Sequence, residues 1–387
     1  MIGITKLLCG VSQWGDTLRY GEKQSSDSPA ERRPIVVWNS ARRCNLRCIH
    51  CYIDAETGPQ RGELSTSEAK TLIDDLAAFG APVCLFSGGE PLLRNDLLEL
   101  GAYVVSKGMR AVISSNGTLI DAAAAKEIKE AGFAYVGISL DGMEEKNDRF
   151  RGKRGAFQEA LDGMRNCRAA GVKVGLRCTI NKHNIADLPA ILNLLEEEKI
   201  PRACFYHLVY AGRGSRMRDA DLSLVESRQA VDLICDKAVD FYKRNLDIEI
   251  LTVDNHCDGV YLLQKLRREN PERAIKVEEL LRRNGGNLSG VGIASIDPLG
   301  NVHADQFWQH YSFGNVRERP FSEIWRDTSD PVMAGLKNRK PLLKGRCGAC
   351  KFLDLCNGNL RIRAEAVYGD IWAPDPACYL SDEEIGL

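Results

Sequence analysis

The sequence predicts an α/β fold, and three observations carry that prediction. From Ile35 to about Tyr210, short apolar runs alternate with amphipathic stretches at a repeat of roughly thirty residues, the pattern of βαβ units. Several apolar runs end in Gly, Ser, Asn or Asp, residues that turn the chain and leave polar groups at a strand's end. Six such units can be counted, short of the eight in a closed barrel.

The candidate strands are Ile35–Asn39, Val83–Phe86, Arg110–Ser114, Tyr135–Leu140, Val172–Thr179 and Ala203–Leu208. Between the first two, Ser65 and Glu68 form a capping box, and Ala69, Leu72, Ile73 and Leu76 follow on one apolar helical face. After Tyr210 the rhythm changes. Val231, Ile234, Cys235, Ala238, Phe241 and Tyr242 share a face, so 222–244 is read as a helix. A short strand is expected at Ile248–Thr252, then two charged helices near 258–269 and 273–284. Ile293–Asp297 and Val302–Asp305, joined by Pro298-Leu299-Gly300-Asn301, read as a hairpin. The expected organisation is an N-terminal segment 1–34 with a polar loop from Glu22 to Arg33, an α/β unit 35–222, a helical bridging region 223–290 and an α+β region 291–387.

At 387 residues the chain is long enough for two or three domains with a substantial apolar core. A formal net charge of −1 argues against bulk nucleic-acid binding or attraction to a membrane surface, and no run approaches a spanning helix. The opening apolar run is too short for a signal peptide. Fourteen cysteines in a large chain without an export signal point to metal ligation in a reducing cytoplasm rather than to disulfides. Cys84, Cys167, Cys178, Cys204 and Cys235 sit in apolar runs and read as packed thiols; Cys257 reads the same way.

Three cysteines crowd one turn, Cys44-Asn45-Leu46-Arg47-Cys48-Ile49-His50-Cys51-Tyr52, at the spacing C-x3-C-x2-C. Thiolates this close converge more readily on a metal centre than on one another. Three ligands to a four-iron cluster leave one iron open for chemistry, whereas a zinc site would need a fourth ligand such as His50. Downstream, Val83-Cys84-Leu85-Phe86-Ser87-Gly88-Gly89-Glu90-Pro91 ends an apolar run in two glycines and an acid. Glycines there let backbone approach a ligand, and the carboxylate suits an ammonium group. A second set, Cys347-Gly348-Ala349-Cys350 with Cys356 and then Cys378, supplies four thiolates, enough for a closed zinc site or a fully ligated cluster.

The triad followed by Gly88-Gly89-Glu90-Pro91 resembles the radical S-adenosylmethionine (SAM) superfamily. That resemblance implies a partial (β/α)6, TIM-like barrel and a 4Fe–4S cluster on Cys44, Cys48 and Cys51. It further implies SAM chelated to the open iron and cleaved to a deoxyadenosyl radical. It places Gly88, Gly89 and Glu90 at the SAM ammonium and Tyr52 near the adenine. Ser115, Asn116, Ser139, Asp141 and Arg177 would serve the ribose or carboxylate; for the polar residues a cap or turn hydrogen bond is the plain alternative. The second cysteine set, after its hairpin, resembles the SPASM and twitch auxiliary-cluster domains. Leu360 and Asp305 stand where further Cys would be, so one auxiliary cluster is expected, on Cys347, Cys350, Cys356 and Cys378, for two 4Fe–4S clusters in all.

Met1-Ile2-Gly3-Ile4-Thr5-Lys6-Leu7, Leu18-Arg19-Tyr20-Gly21 and the tail from Cys356-Asn357-Gly358-Asn359 through Trp372 to Leu380 narrow the likeness. They are similar to the didecarboxysiroheme deacetylases of haem synthesis and the related NirJ enzymes of haem d1 synthesis. This implies an iron tetrapyrrole substrate, loss of two acetates from 12,18-didecarboxysiroheme to give Fe-coproporphyrin III, and an electron donor such as flavodoxin or ferredoxin. NirJ enzymes instead act on propionates. A SPASM-type peptide maturase is a second reading, and a zinc-stapled binding protein a third. Arg213, Arg216 and Arg218 follow the sixth strand and suit a substrate with several carboxylates, or else a solvated loop. His50, His207 and Tyr210 are the candidate catalytic groups.

Overall fold

In the computed structural model, which describes residues 1–21, 32–58 and 61–387, the apolar runs assemble into one ten-stranded sheet. The strands are β1 (Ile2–Gly3), β2 (Ile35–Ala41), β3 (Val83–Gly88), β4 (Arg110–Ser115), β5 (Tyr135–Ser139), β6 (Val174–Ile180), β7 (Arg202–His207), β8 (Glu249–Val253), β9 (Ile293–Ile296) and β10 (Val302–His303). Their spatial order is β1-β8-β7-β6-β5-β4-β3-β2-β9-β10. β2 to β8 are parallel neighbours in chain order, as consecutive strand–helix units require. The six expected strands are β2 to β7, each within two residues of its expected start.

Two edges go beyond the expectation. The short strand foreseen in the bridging region is β8, a seventh parallel strand beside β7. β1, at the chain's start, pairs antiparallel on β8 with Ile2 opposite Thr252. At the other edge the expected hairpin forms, and β9 lies parallel to β2. One sheet therefore joins the first cysteine loop, which leaves β2, to the hairpin that precedes the second cysteine set. The polar loop from Glu22 to Arg33 lies outside the described residues except for its last two positions.

Helices cover the strands, so the parallel strands are near-continuous apolar runs rather than alternating ones. The helix Thr66–Phe79 begins with the expected capping box and buries Ala69, Leu72, Ile73 and Leu76. Trp38 on β2 meets Phe86 on β3 at 5.5 Å between centroids, and Phe86 meets Phe133 at 5.8 Å. Full burial of such side chains contributes about 1.5–3 kcal/mol each. No helix among the described residues is long and apolar enough to cross a membrane. Because β2 to β8 are parallel, all their C-terminal ends, and the loops that leave them, gather at one rim, where ligands of such sheets sit.

Candidate active site and second cysteine site

The first cysteine loop leaves β2 and is fastened at both ends. Cys44 N–H donates to Glu56 O at 2.7 Å, while Arg47 and Ile49 N–H donate to Arg151 O and Phe150 O at 3.1 and 3.0 Å. Each sulfur has its own donor: Leu46 N–H to Cys44 at 3.4 Å, Ala55 N–H to Cys51 at 3.3 Å and Arg151 Nη1 to Cys48 at 3.5 Å. Burial pushes the Cys44 thiol up to about 12 and raises that of Cys48. Iron cations reverse that penalty, so three donor-supported cysteines, Cys44 and Cys48 buried and Cys51 half-buried, fit a cluster. Among the described residues no group of three or more His, Cys, Asp or Glu closes tightly enough for a single metal ion.

β3 delivers the glycine pair against this loop. Gly89 N–H donates to Ala41 O at 2.7 Å and Glu90 N–H to Arg43 O at 2.9 Å. A Cβ at Gly89 would lie 2.3 Å from Arg43 O, and one at Gly88, with φ +126°, would lie 2.3 Å from Ala41 O. Only glycine lets the two backbones meet there. Glu90 is fully buried and accepts from Ser115 Oγ (2.8 Å), Asn116 N–H (2.8 Å) and Leu92 N–H (3.2 Å). Burial still pushes its carboxyl up to about 7 against those donors. A cationic partner would relieve this, but both carboxylate oxygens are taken by protein donors and the side chain does not reach the cavity. Gly88, Gly89, Ser115, Asn116 and Ser139 line a cavity of about 110 Å³ with all three cysteines; Glu90 stands behind its wall.

A second cavity, about 150 Å³, adjoins it over the sheet and shares His50, Tyr52, Ser87, Ser139 and Arg151 with it. Asp141 takes the Arg151 guanidinium and the Thr179 N–H (2.6 Å), so its carboxylate is committed to the protein. Arg177 donates to Ser114 Oγ and lies 5.6 Å from the centre of the Tyr206 ring, a half-buried cation lining the cavity. Burial pushes His50 down to about 4, and its ring leans on Phe150 at 4.5 Å. His207 is held by Asp258 at 3.0 Å, which also accepts from Tyr379 OH at 2.8 Å. Tyr52 OH bonds Asn39 and Ser87, both at 2.9 Å.

Tyr52 and Phe307, 5.5 Å apart edge to face, separate this cavity from an outer chamber of about 590 Å³. Tyr210 lines the chamber and donates to Asp221 at 2.6 Å. The three arginines do not converge. Arg213 braces the cysteine loop, donating to Cys48 O at 2.9 Å and Ala55 O at 3.0 Å. Arg216 and Arg218 are exposed and line none of these cavities; Arg218 lies over Tyr210. Residue patterns alone missed Arg151, Asp254, Phe307 and Gln306, all lining the inner cavity. Asp254 directly follows β8, and reading that strand as part of the sheet would have found it.

The second site is a narrow cavity of about 20 Å³ walled by Cys347, Cys350, Cys356 and Cys378, with Cys257 beside them. Burial raises the first three thiols, while the Cys257 thiol beside Cys378 holds that one down to about 7. Phe352 N–H donates to Cys350 sulfur at 3.4 Å. Four thiols around an apolar-walled cavity, none bound as a disulfide among the described residues, fit a fully ligated cluster. Cys84, Cys167, Cys178, Cys204 and Cys235 are buried packing thiols, as expected.

A three-cysteine loop against a Gly-Gly-Glu turn at the rim of a parallel sheet, with a second thiol cage beyond it, defines a radical SAM enzyme carrying an auxiliary cluster domain. The Radical SAM superfamily profile matches residues 38–195, and the SPASM iron–sulfur cluster-binding domain matches 290–351. The chain belongs to that superfamily, within its haem-biosynthetic branch. It is 63% identical to the Fe-coproporphyrin III synthase of Methanosarcina barkeri, covering 100% of this chain and 99% of the relative. It is 43% identical to the pre-heme d1 synthase of Dinoroseobacter shibae, over 92% of this chain and 88% of that protein. In fold it is similar to Streptococcus suis SuiB bound to S-adenosylmethionine, with a TM-score of 0.72 at 16% identity over 90% of this chain and 78% of that one. Native anSMEcpe with bound AdoMet gives 0.68 at 18% over 91% and 96%. SAM and two iron–sulfur clusters are the cofactors of this class.

Proposed function

We propose that this chain removes the two acetate side chains of 12,18-didecarboxysiroheme to give Fe-coproporphyrin III. The observation that carries this reading is the 63% identity to Fe-coproporphyrin III synthase along essentially the whole of both chains. The peptide-modifying alternative is weaker: PqqA peptide cyclase and mycofactocin maturase stand at 27% and 29%.

When bound, the clusters supply the electron that cleaves SAM to a deoxyadenosyl radical and the one that balances each round. The chain's own residues do the rest. Cys44, Cys48 and Cys51 hold the first cluster, and Cys347, Cys350, Cys356 and Cys378 the second. Gly88 and Gly89 admit the SAM ammonium, with Glu90 behind them, and Arg177 is a half-buried cation for a carboxylate in the inner cavity. Arg213 and Arg151 keep the cysteine loop in place. Phe307 and Tyr52 shield the inner cavity from the chamber, which protects a radical from water. His207 lines that cavity with its ring oriented by Asp258 at 3.0 Å. The partner reading is a small electron donor, flavodoxin or ferredoxin, in a cytoplasm that keeps these thiols reduced.

The test is anaerobic incubation of reconstituted protein with didecarboxysiroheme, SAM and a reductant. Loss of two acetate units by mass, with deoxyadenosine formed alongside, is the expected result. Loss of propionate mass instead would transfer the chain to the pre-heme d1 reaction, the reading that the 43% relative supports. Deoxyadenosine formed only with a peptide would overturn the haem reading altogether.

A further inference from the structure

We propose that His310 is the protein ligand to the iron of the tetrapyrrole substrate, through Nδ1, in the outer chamber. The inference rests on the haem reading above and adds to it where the macrocycle sits and what holds its metal.

The inner cavity, at about 150 Å³, is too small for a macrocycle, whereas the chamber, at about 590 Å³, falls in the usual range for ligand sites, roughly 300–1,000 Å³. Its walls include flat and apolar groups, Phe307, Tyr52, Pro298 and Ile362, which suit a planar ring. Among the described residues His310 is the one histidine on that wall. His50 and His207 line the inner cavity, and His207 is already committed to Asp258.

His310 is built as a ligand. Its Nε2 lies 3.1 Å from Glu365 Oε1, and a carboxylate can only accept there, so Nε2 carries a proton and Nδ1 is the nitrogen left for a metal; Glu365 raises the imidazole's pKa, so iron binding must displace the Nδ1 proton of the charged form. No protein hydrogen bond reaches Nδ1 among the described residues. The ring lies against Trp308, centroids 5.9 Å apart and planes 25° apart, which fixes its orientation. The imidazole is 52% exposed, and both His310 and Glu365 line the chamber. A histidine whose second nitrogen donates to a carboxylate is the standard arrangement of a metal-bound imidazole, and histidine is a common ligand to haem iron. Arg42 at the same chamber offers a cation to a peripheral carboxylate. A side chain of a macrocycle held there reaches the inner cavity past Tyr52 and Phe307, the two rings both spaces share.

The test is optical. Ferric Fe-coproporphyrin III is titrated into anaerobic holoenzyme of the wild type, His310→Ala and Glu365→Gln, with metal-free coproporphyrin III as control. In the wild type the Soret band should shift to that of an imidazole-ligated iron, with the matching low-spin or high-spin electron paramagnetic resonance signal. His310→Ala should lose that signature and bind the iron porphyrin about 10–100-fold more weakly, while the metal-free ring binds both proteins alike. Added imidazole should restore the band in His310→Ala. Glu365→Gln should keep the ligand but shift the band, as expected of a positioning residue. An unchanged wild-type spectrum in His310→Ala would overturn the assignment and leave the haem reading standing. Failure of the wild type to bind either porphyrin would overturn both.

Discussion

Arg151 is a buried cation shared between an acid and a cluster ligand, donating to the Asp141 carboxylate and, at 3.5 Å, to Cys48 sulfur. Replacing it by methionine leaves Asp141, 1% exposed, without its counter-charge, which costs about 3–5 kcal/mol. Arg151→Met should lower anaerobic denaturant stability by that order and lower the potential of the first cluster, because a positive donor to sulfur is gone. A potentiometric titration that finds the same potential in both proteins sinks this assignment. Asp254 makes the pH case. Burial pushes it up to about 6, with Arg363 pulling the other way. Its folded value lies above the unfolded one, so its contribution to stability is full below about pH 4 and is lost as pH rises through about 6, roughly 3 kcal/mol in all. Asp254→Asn, which keeps the left-handed backbone at φ 64°, does not titrate. Its stability relative to the wild type should therefore climb between pH 4 and 7 and level off above. Thermal melts giving the same difference at pH 5 and pH 8 would rule out this role for Asp254.

Helix and strand ends decide where the site sits. In the helix Thr66–Phe79, Ser65 caps Glu68 N–H and the Glu68 carboxylate returns to Ser65, while Arg317 from beyond the hairpin donates to the same carboxylate at 2.6 Å. Ser65→Ala should cost about 1 kcal/mol in urea unfolding. Gly89→Ala has a harsher outcome, since its new Cβ meets backbone oxygens of Arg42 and Arg43 at 2.5 and 2.3 Å. The cysteine loop must then move off β3. Purified Gly89→Ala should keep the wild-type circular dichroism but hold roughly half the iron, the auxiliary cluster alone. Full iron loading would show that the loop tolerates the displacement. Local chemistry made these ends legible in the sequence: a capping box, a Gly-Gly turn and cysteine spacing all act between near neighbours. Pairing is different. Ile248–Thr252 looks like an isolated strand because nothing in its own residues says that β7 lies alongside. Arg213 looks like a substrate anchor for the same reason. Its partners are the backbone oxygens of Cys48 and Ala55, some 160 residues earlier, and carbonyls leave no trace in a residue pattern.

Across the whole molecule the question is how the auxiliary region stays registered on the sheet. Arg363 and Asp375 form an ion pair at 3.0 Å with both side chains 0% exposed. Arg363 also donates to Leu208 O (3.1 Å), just past β7, and to Asp254 O (2.6 Å), just past β8. Asp375 accepts from Leu360 and Ala377 N–H at 2.8 and 3.0 Å, shaping the turn that leads to Cys378. One cation thus ties the last ligand of the second site to the rim that holds the first. Such a pair contributes little net stability against an apolar replacement of both members, because desolvation offsets attraction. Removing one member is different: Arg363→Met leaves Asp375 charged and dry and frees two strand-end carbonyls. The expected result is a loss of about 3–5 kcal/mol together with faster proteolysis and hydrogen exchange between Asn359 and Cys378, while β2 to β6 stay protected. The double variant Arg363→Met with Asp375→Leu should recover much of the stability without recovering the turn, so its auxiliary iron stays low. If Arg363→Met instead exchanges uniformly faster across the sheet, the pair is a general core contact and the two sites are registered by some other means.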